Sequence, residues 1–144
     1  MIKIICVGKI KEKYLTEAIE DYKKRIKKYH KIEIIELADS NIITEKELIK
    51  KNISTKDFII TLEIEGKELN SIELSDKIEK TFITNPNIDF IIGGSDGLHK
   101  DIKEMSNYKL SFSKLTFPHG LFRLILLEQI YRSFKIMNNE TYHK

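Results

Sequence analysis

The sequence of 144 residues predicts an α/β fold, a mostly parallel β-sheet with helices on both faces. Apolar runs typical of strands alternate along the chain with segments whose apolar residues recur at helical spacing. Five of the six glycines come directly after predicted strands, where a sheet edge needs turns. The length fits one domain over residues 1–144, which can bury a core without disulfides or a metal.

The first third of the chain predicts two strands and two helices. Met1–Val7 is a nearly continuous apolar run and predicts the first strand. Apolar residues at helical spacing then predict an amphipathic helix over about Tyr14–Tyr29, with lysines on its outer face. Lys31–Leu37 predicts the second strand. Thr44 and Glu47 have the spacing of a capping box, which predicts that a short helix begins at this point.

The middle of the chain continues the alternation. Asp57–Glu63 predicts the third strand. Ser71 is expected to cap the third helix, whose apolar face carries Leu74 and Ile78. The turn Asn85-Pro86-Asn87 ends this unit.

The last third contains two further strands and the most apolar helix. Ile88–Ile92 predicts the fourth strand, a short helix follows over about His99–Ser106, and Lys109–Phe112 predicts the fifth strand. The final helix, about His119–Met137, is apolar nearly all round and needs burial on more than one side. In so short a chain, this predicts a subunit interface as well as a core. The residues from Asn138 onward have no periodicity.

The formal charge is unevenly distributed, although the whole chain carries only +3. Residues 1–31 hold ten Lys/Arg and four Asp/Glu, residues 32–107 hold nine and sixteen, and residues 108–144 hold six and two. If the two basic ends meet in space, they form a surface suited to phosphate groups. Solvated helix faces would explain the pattern equally well.

Several classes of protein find no support in the sequence. Cys6 is the single cysteine and lies in an apolar run, as expected for a core residue in a reducing cytoplasm. The run Ile4–Val7 is too short for a signal peptide, and the longest apolar run elsewhere, Leu124–Leu127, is too short for a membrane span. The four histidines lack the spacing of metal ligands. We therefore expect a cytoplasmic protein with neither a membrane nor a metal partner.

Three glycines follow the fourth strand within residues 93–97. Ligands of open α/β sheets bind beyond the carboxyl ends of the strands, and glycine lets a ligand approach the backbone closely. The sequence GGSDG does not match the dinucleotide fingerprint, and the chain contains neither a phosphate-binding P-loop nor a nucleophile elbow. The glycine cluster therefore favours a ligand loop of another kind.

A second loop, Phe112–His119, contains two phenylalanines and a leucine where polar residues are the rule. Apolar side chains in a loop can enclose an adenine ring, while free backbone groups read its edge. Packing of the loop onto the core would account for the same composition. Both interpretations remain open at this level.

Seven motifs carry a family resemblance. They are Val7-Gly8-Lys9, the segments 61–67, 92–98 and 110–113, Phe117-Pro118-His119 with Arg123, the segment 128–132, and Tyr142-His143-Lys144. Each motif is weak alone, but in this order the chain resembles the RlmH branch of the SPOUT methyltransferases over essentially its whole length. The resemblance implies a C-terminal trefoil knot, a homodimer and bound S-adenosylmethionine. It also implies methylation of N3 of a pseudouridine in large-subunit (23S) ribosomal RNA. Because a domain of 144 residues offers little surface for reading an RNA sequence by itself, we expect an assembled ribosome as the substrate.

The resemblance also assigns site residues by position. It implies that the cofactor contacts are Leu62, Gly93, Phe112, Ser113, Lys114, Leu115, Thr116 and Phe117. For the chemistry it favours His143 as the base that accepts the imide proton, with Tyr142 placing the target base. Arg123 is expected to contact the substrate, with a salt bridge across a dimer as the alternative. The lysines within residues 23–28 are expected to hold the RNA backbone.

Two other functions are compatible with parts of the sequence. The first is a non-catalytic ribosome- or RNA-binding module that uses the basic ends. The second is a nucleotide-binding protein of flavodoxin type, which would bind at the same strand ends but lacks the usual phosphate motifs. Calorimetric titration with S-adenosylmethionine separates the three, because only the methyltransferase should bind it.

Overall fold

A computed structural model describes the whole chain, residues 1–144. It contains five strands: β1 (Ile2–Val7), β2 (Ile32–Leu37), β3 (Asp57–Glu68), β4 (Asn87–Ile92) and β5 (Tyr108–Ser111). They form one sheet in the order β2-β1-β4-β3-β5, and every pairing is parallel. The prediction of a mostly parallel α/β sheet is confirmed.

Five helices cover the two faces of this sheet. They are α1 (Lys13–Lys27), α2 (Ile42–Lys51), α3 (Ser71–Thr84), α4 (Lys100–Met105) and α5 (His119–Met137). On one face α5 packs against both α1 and α3, and on the other α2 packs against α4. The predicted burial of the last helix on more than one side is therefore confirmed. The trefoil knot stays a prediction.

The side chains of β1 show why its sequence is apolar almost throughout. Ile2 and Ile4 belong to the larger core, under α1, α3 and α5, whereas Ile5 and Val7 belong to the smaller core, under α2 and α4. Successive side chains of a strand point to opposite faces, so a strand covered on both sides needs apolar residues at nearly every position. Burial raises the pKa of the Cys6 thiol to about 11, as suits a core residue.

The two basic ends of the sequence are brought together by the packing of α1 against α5. Leu15, Ile19 and Ile26 form the buried stripe of α1. Three of the four lysines of α1, Lys13, Lys24 and Lys27, face solvent. The N-terminal and C-terminal basic segments therefore lie side by side in one helical layer.

Two of the predicted helix caps are wrong, by three residues at α2 and by one residue at α3. The helix α2 begins at Ile42, because the side chain of Asn41 accepts a hydrogen bond from the Thr44 backbone N–H at 2.8 Å. Thr44 is thus the third helical residue instead of the cap. For α3 the cap is Asn70, which forms a capping box with Glu73. In both places an asparagine just upstream, a strong N-cap residue, takes the position.

Strand β3 runs five residues beyond its predicted end. It pairs with β5 through Leu62, and the pairing resumes at Lys67 after a shift in register. A Cβ atom at Gly66 would lie 2.8 Å from the backbone of Lys109, so only glycine allows this approach. The residues between the two paired stretches, 63–66, bulge out of the ladder and form a wall beside the sheet edge.

A buried acidic pair lies at the opposite edge of the sheet, where the strands begin. The ammonium group of Lys3 is 2.8 Å from Asp57 and 3.6 Å from Asp89. Asp89 is fully buried, and neither of its oxygens accepts a hydrogen bond. Burial, together with the adjacent Asp57 carboxylate, raises the pKa of Asp89 to about 8. Burial alone would also raise the pKa of Asp57, but the adjacent Asp89, the Lys3 ammonium group and the Asn87 amide outweigh it and lower that pKa.

Replacing Asp89 by asparagine should therefore change how stability depends on pH. Between the ordinary aspartate pKa of 3.8 and about 8, the native protein holds a proton that the unfolded chain has released. The free energy of unfolding thus loses up to about 1.4 kcal/mol per pH unit as pH rises. Asp89→Asn removes this loss, so we expect its stability relative to the wild type to be higher at pH 8 than at pH 5. Urea unfolding at both pH values measures the difference, and an equal difference at both would contradict the argument.

Candidate functional site

A cavity of about 340 Å³ opens where β3, β4 and β5 end. Its volume falls in the range of small-molecule sites, roughly 300–1,000 Å³. Its walls are the bulge of β3, the glycine turn after β4, the loop after β5 and the first turn of α5. Of the residues expected to bind the cofactor, those that line it are Leu62, Gly93, Phe112, Ser113, Leu115, Thr116 and Phe117. Lys114 is exposed and is not among them.

The glycine turn forms a wall made of backbone. A Cβ atom at Gly93 would lie 2.7 Å from the backbone carbonyl group of Gly97, too close for any other residue. Gly97 has φ of +75°, which favours glycine, and its N–H donates to the carbonyl oxygen of Gly94 at 3.0 Å. The turn is therefore closed tightly, and it leaves a smooth surface that a ligand can approach.

Three aromatic rings form an apolar wall. The ring of Phe122 lies 5.2 Å from that of Phe112 and 6.0 Å, edge to face, from that of Phe117. Phe122 belongs to the first turns of α5 and was not expected at the site. The start of α5 directly after the apolar loop is the signal that could have indicated it. Such a wall suits a flat heteroaromatic ring, which stacks on aromatic faces and edges.

The bulge of β3 adds a charged pair that sequence reasoning also missed. The side chain of Glu63 is largely buried, accepts a hydrogen bond from the Thr61 hydroxyl at 2.6 Å and lies 3.9 Å from the ammonium group of Lys103. Both charged residues line the cavity. A carboxylate beside an ammonium group suits a ligand that itself carries both charges, as an amino acid does. The only hint in the sequence was that Glu63 directly follows Leu62.

The structure corrects the expectation for Arg123. This residue is 2% exposed, donates to Glu36 at 2.6 Å and to the carbonyl oxygen of Gly8 at 3.2 Å, and does not line the cavity. Its side chain points into the protein because Glu36, at the end of β2, supplies the opposite charge there. The assignment of Arg123 to a substrate contact is therefore wrong for this structure, and the residue instead ties α5 to the ends of β1 and β2.

Tyr142 and His143 follow α5 and pack back against its C-terminal half, away from the cavity. The Tyr142 hydroxyl donates to Glu128 at 2.9 Å, and its ring packs edge to face on Tyr131 with centroids 5.0 Å apart. The Arg132 guanidinium bonds to His143 at 3.0 Å. Arg132 is ten residues beyond Phe122 on the same helix, which is about 15 Å along its axis. Within one chain, the structure does not bring these two residues to the cavity.

The structure also shows whether the chain has a metal-binding cluster or a helix long enough to span a membrane. No group of three or more His, Cys, Asp or Glu side chains is arranged to hold a metal ion. None of the five helices combines the length and the apolar character that crossing a bilayer would demand.

Comparison with known proteins identifies relatives over the whole chain. A family model described as predicted SPOUT methyltransferase matches residues 1–143. The ribosomal RNA large subunit methyltransferase H of Clostridium botulinum strain Hall is 52% identical, with 99% of each chain covered. A protein of Methanococcus maripaludis, to which the same activity is provisionally assigned, is 55% identical with the same coverage.

Solved structures of lower identity share the fold. A probable methylase family protein from Haemophilus influenzae Rd KW20 has a TM-score of 0.59 at 14% identity, covering 99% of this chain and 70% of the other. The SpoU methyltransferase AviRb from Streptomyces viridochromogenes, in complex with the cofactor AdoMet, has a TM-score of 0.51 at 9% identity, covering 92% and 57%. At these identities the likeness concerns the fold alone.

Proposed function

The chain belongs to the SPOUT methyltransferase family, and we propose that it transfers a methyl group from S-adenosylmethionine to large-subunit ribosomal RNA. The observation that carries this proposal is the cavity at the ends of β3, β4 and β5, with its glycine turn, aromatic wall and charged pair. The curated relatives, which match over almost their full length, are named for the same activity.

The chemistry of the cavity fits the three parts of S-adenosylmethionine. The aromatic wall around Phe122 would hold the adenine ring. Glu63 and Lys103 would hold the ammonium and carboxylate groups of the amino acid end. The backbone of the turn at Gly93, which lines the cavity, would lie against the middle of the molecule. The bound cofactor supplies an electrophilic methyl group on a positively charged sulfur.

The target that we propose is N3 of a pseudouridine. The support is the resemblance over the whole chain and the naming of the relatives for a large-subunit methyltransferase. N3 is an imide nitrogen that must lose its proton before it can attack a methyl carbon. The protein can assist chiefly by aligning this nitrogen with the methyl group, and such alignment can contribute roughly 7–11 kcal/mol.

We further propose that the active unit is a homodimer in which one subunit's tail reaches the other subunit's cavity. The residues of α5 that contact Tyr142 and His143, namely Glu128 and Arg132, lie six and ten residues beyond Phe122, or about 9 and 15 Å along the helix axis. These contacts keep Tyr142 and His143 from the cavity of their own chain. Large apolar side chains remain exposed at the cavity rim, notably Leu115 at 71% and Ile64 at 50%. An apolar groove containing Leu69, Leu74 and Ile125 continues beside the cavity. A second copy would cover these surfaces and complete the site.

The layer of α1 and α5 offers the surface for the RNA backbone. Replacing Lys24, Lys27 and Lys28 by glutamine should weaken RNA binding, because each exposed lysine that contacts a phosphate releases counterions. The slope of log affinity against log salt concentration should fall by about 2–3 if all three make contact. Filter binding or fluorescence anisotropy at several salt concentrations measures the slope.

The matched control replaces three exposed lysines on the opposite face of the sheet. Lys51, Lys56 and Lys100 lie in or beside α2 and α4. Their replacement by glutamine alters the net charge by the same amount but should leave the salt slope nearly unchanged. If both triple variants change the slope equally, the RNA does not lie specifically on the α1–α5 layer.

A methylation assay tests the proposed function directly. The purified protein is incubated with S-adenosylmethionine labelled at the methyl group and with ribosomes from a strain that lacks the enzyme. We expect label in large-subunit RNA, and mass mapping of its nucleosides should identify 3-methylpseudouridine. RNA binding without any cofactor binding would instead favour the non-catalytic module. We propose the cytoplasm as the site of action, which fits the free thiol of Cys6.

A further inference from the structure

The contact between Arg132 and His143 determines which nitrogen of the imidazole carries the proton. The guanidinium Nη1 of Arg132 lies 3.0 Å from His143 Nδ1. A guanidinium group has only donors, so Nδ1 must accept the hydrogen bond and therefore has no proton. In the neutral ring the hydrogen is then on Nε2.

This arrangement bears on the expected role of His143 as a base. A neutral imidazole has one nitrogen with a free lone pair, and a general base needs that lone pair to take a proton. In His143 the lone pair is already used by Arg132. The group that remains available to a substrate is the Nε2–H, which is a hydrogen-bond donor.

Glu128 holds both Arg132 and the neighbouring Tyr142. Its Oε2 accepts from Arg132 Nη2 at 2.9 Å and from the Tyr142 hydroxyl at 2.9 Å. The guanidinium also lies over the Tyr142 ring, 4.8 Å from its centroid. Burial, with the Glu128 carboxylate, raises the pKa of Tyr142, so its hydroxyl stays protonated and remains a donor to Glu128. One carboxylate thus orients Tyr142 directly and His143 through Arg132.

We propose that His143 serves the methyl transfer as a hydrogen-bond donor, through Nε2–H, to a carbonyl oxygen next to N3 of the target base. Glu128 and Arg132 are the positioning residues that hold this tautomer. The inference rests on the proposed function and concerns how the tail acts in it.

The methyl transfer needs no base from the protein. N3 loses its proton to water, and the resulting negative charge spreads to the flanking carbonyl oxygens, one of which accepts the Nε2–H hydrogen bond. The N3 electron pair then forms a bond to the methyl carbon. The carbon–sulfur bond breaks with its electrons returning to sulfur, which becomes a neutral thioether. Donors directed at a developing oxyanion each contribute about 10²–10³ in rate.

Two amide substitutions at His143 show whether the residue acts as a hydrogen-bond donor or as a base. His143→Gln can place an amide N–H near the position of Nε2, but it cannot act as a base. His143→Asn can place a carbonyl oxygen near the position of Nδ1 and keep the contact with Arg132, but it lacks the donor farther out. We expect the glutamine variant to retain methylation within about tenfold of wild type, and the asparagine variant to lose about 10²–10³.

The opposite result would overturn the inference. If His143 were a general base, the glutamine and asparagine variants would fall together, by about 10²–10⁴. Affinity for S-adenosylmethionine, measured by calorimetry, should stay at the wild-type value in both variants. Thr141→Ala, at an exposed neighbouring position, serves as the control and should methylate like the wild type.

Nitrogen-15 NMR of the imidazole provides a readout that a purely structural role would not alter. In the full-length protein at pH 8 we expect the Nε2–H tautomer at His143. Arg132→Glu replaces the donor by an acceptor, so the proton should move to Nδ1 and methylation should fall. Arg132→Lys keeps a donor-only group and should preserve the tautomer. An Nδ1–H tautomer in the wild type would overturn the inference.

Different results would refute the proposed function and the donor role of His143. A wild-type protein that neither binds S-adenosylmethionine nor methylates ribosomal RNA would refute the proposed function and, with it, this inference. A wild type that methylates normally but loses activity in His143→Gln refutes the donor role alone.

Discussion

Removing residues 142–144 is expected to reduce methylation of ribosomal RNA at least about 100-fold. The truncation deletes Tyr142 and His143, the two side chains that Glu128 and Arg132 hold in place. Affinity for S-adenosylmethionine should stay within about threefold of wild type, a change under 1 kcal/mol. The walls of the cavity contain none of the deleted residues. Single-turnover methylation and calorimetry measure the two quantities.

The truncated protein needs a check that it remains folded. The larger core involves Tyr142 only as a partly buried neighbour, so most of the core should persist. Circular dichroism and the mass in solution should therefore match the wild type. Wild-type turnover by the truncated protein would exclude the tail from the chemistry.

The second large effect is expected at the glycine turn. Gly93→Ala should weaken binding of S-adenosylmethionine at least about tenfold and lower methylation with it. The added Cβ would lie 2.7 Å from the Gly97 backbone and 3.1 Å from a side-chain methyl of Leu98, so the turn must move. Forcing an extra carbon into a packed site costs about 1–3 kcal/mol. Calorimetry on the variant measures the loss.

Gly120→Ala is the matched control for the glycine turn. Its Cβ would meet side chains and no backbone: the end of Leu15 at 2.8 Å and Ile10 at 3.7 Å, an ordinary contact distance. The position lies in the first turn of α5. Because alanine favours a helix over glycine by about 1 kcal/mol, the variant should be as stable as wild type or more so. Its cofactor affinity should be unchanged. Equal losses in both variants would show that the effect is not specific to the turn.

Mixing the Gly93→Ala variant with the truncated protein tests whether two subunits together form each site. A subunit with Gly93→Ala keeps its tail, and a truncated subunit keeps its cavity. If each tail completes the partner's cavity, a heterodimer contains one intact site, although each parent protein has lost most of its activity at a cofactor concentration below the Kd of the Gly93→Ala variant. Refolding the two together in equal amounts should restore roughly a quarter of the wild-type rate, since half the dimers are mixed and each has one working site. No recovery, with mixed dimers present, would contradict the composite site.

Much of the fold could be predicted because the relevant patterns are local. Strands buried on both faces are apolar at almost every position, as β1 shows, and helices carry their own period. The glycines that follow the strands are also a local signal, because they indicate where each strand ends. The errors at α2 and α3 were also local, since Asn41 and Asn70 could have been recognised as stronger caps than the residues that follow them.

The candidate site was predicted only in part. Leu62, Gly93 and the loop after β5 could be assigned because they end strands or continue a motif, and the structure brings them to one cavity. The residues that were missed lie on the bulge of β3 and on α4 and α5. Glu63 faces the cavity because the strand leaves its ladder for a few residues, and the sequence carries no distinct sign of that shift.

Residue order was enough to predict the alternation of strands and helices, the parallel sheet and, through the motifs, the family. It could not predict the partner of Arg123, the wall formed by the β3 bulge or the distance between the tail and the cavity, because these depend on tertiary packing. Glu36 and Arg123 are 87 positions apart, and Tyr142 meets Glu128 because the chain folds back along α5. Periodicity and turn chemistry act over a few residues, whereas these contacts depend on which distant segments meet. The role of a charged side chain therefore followed from its packing and not from its place in the sequence.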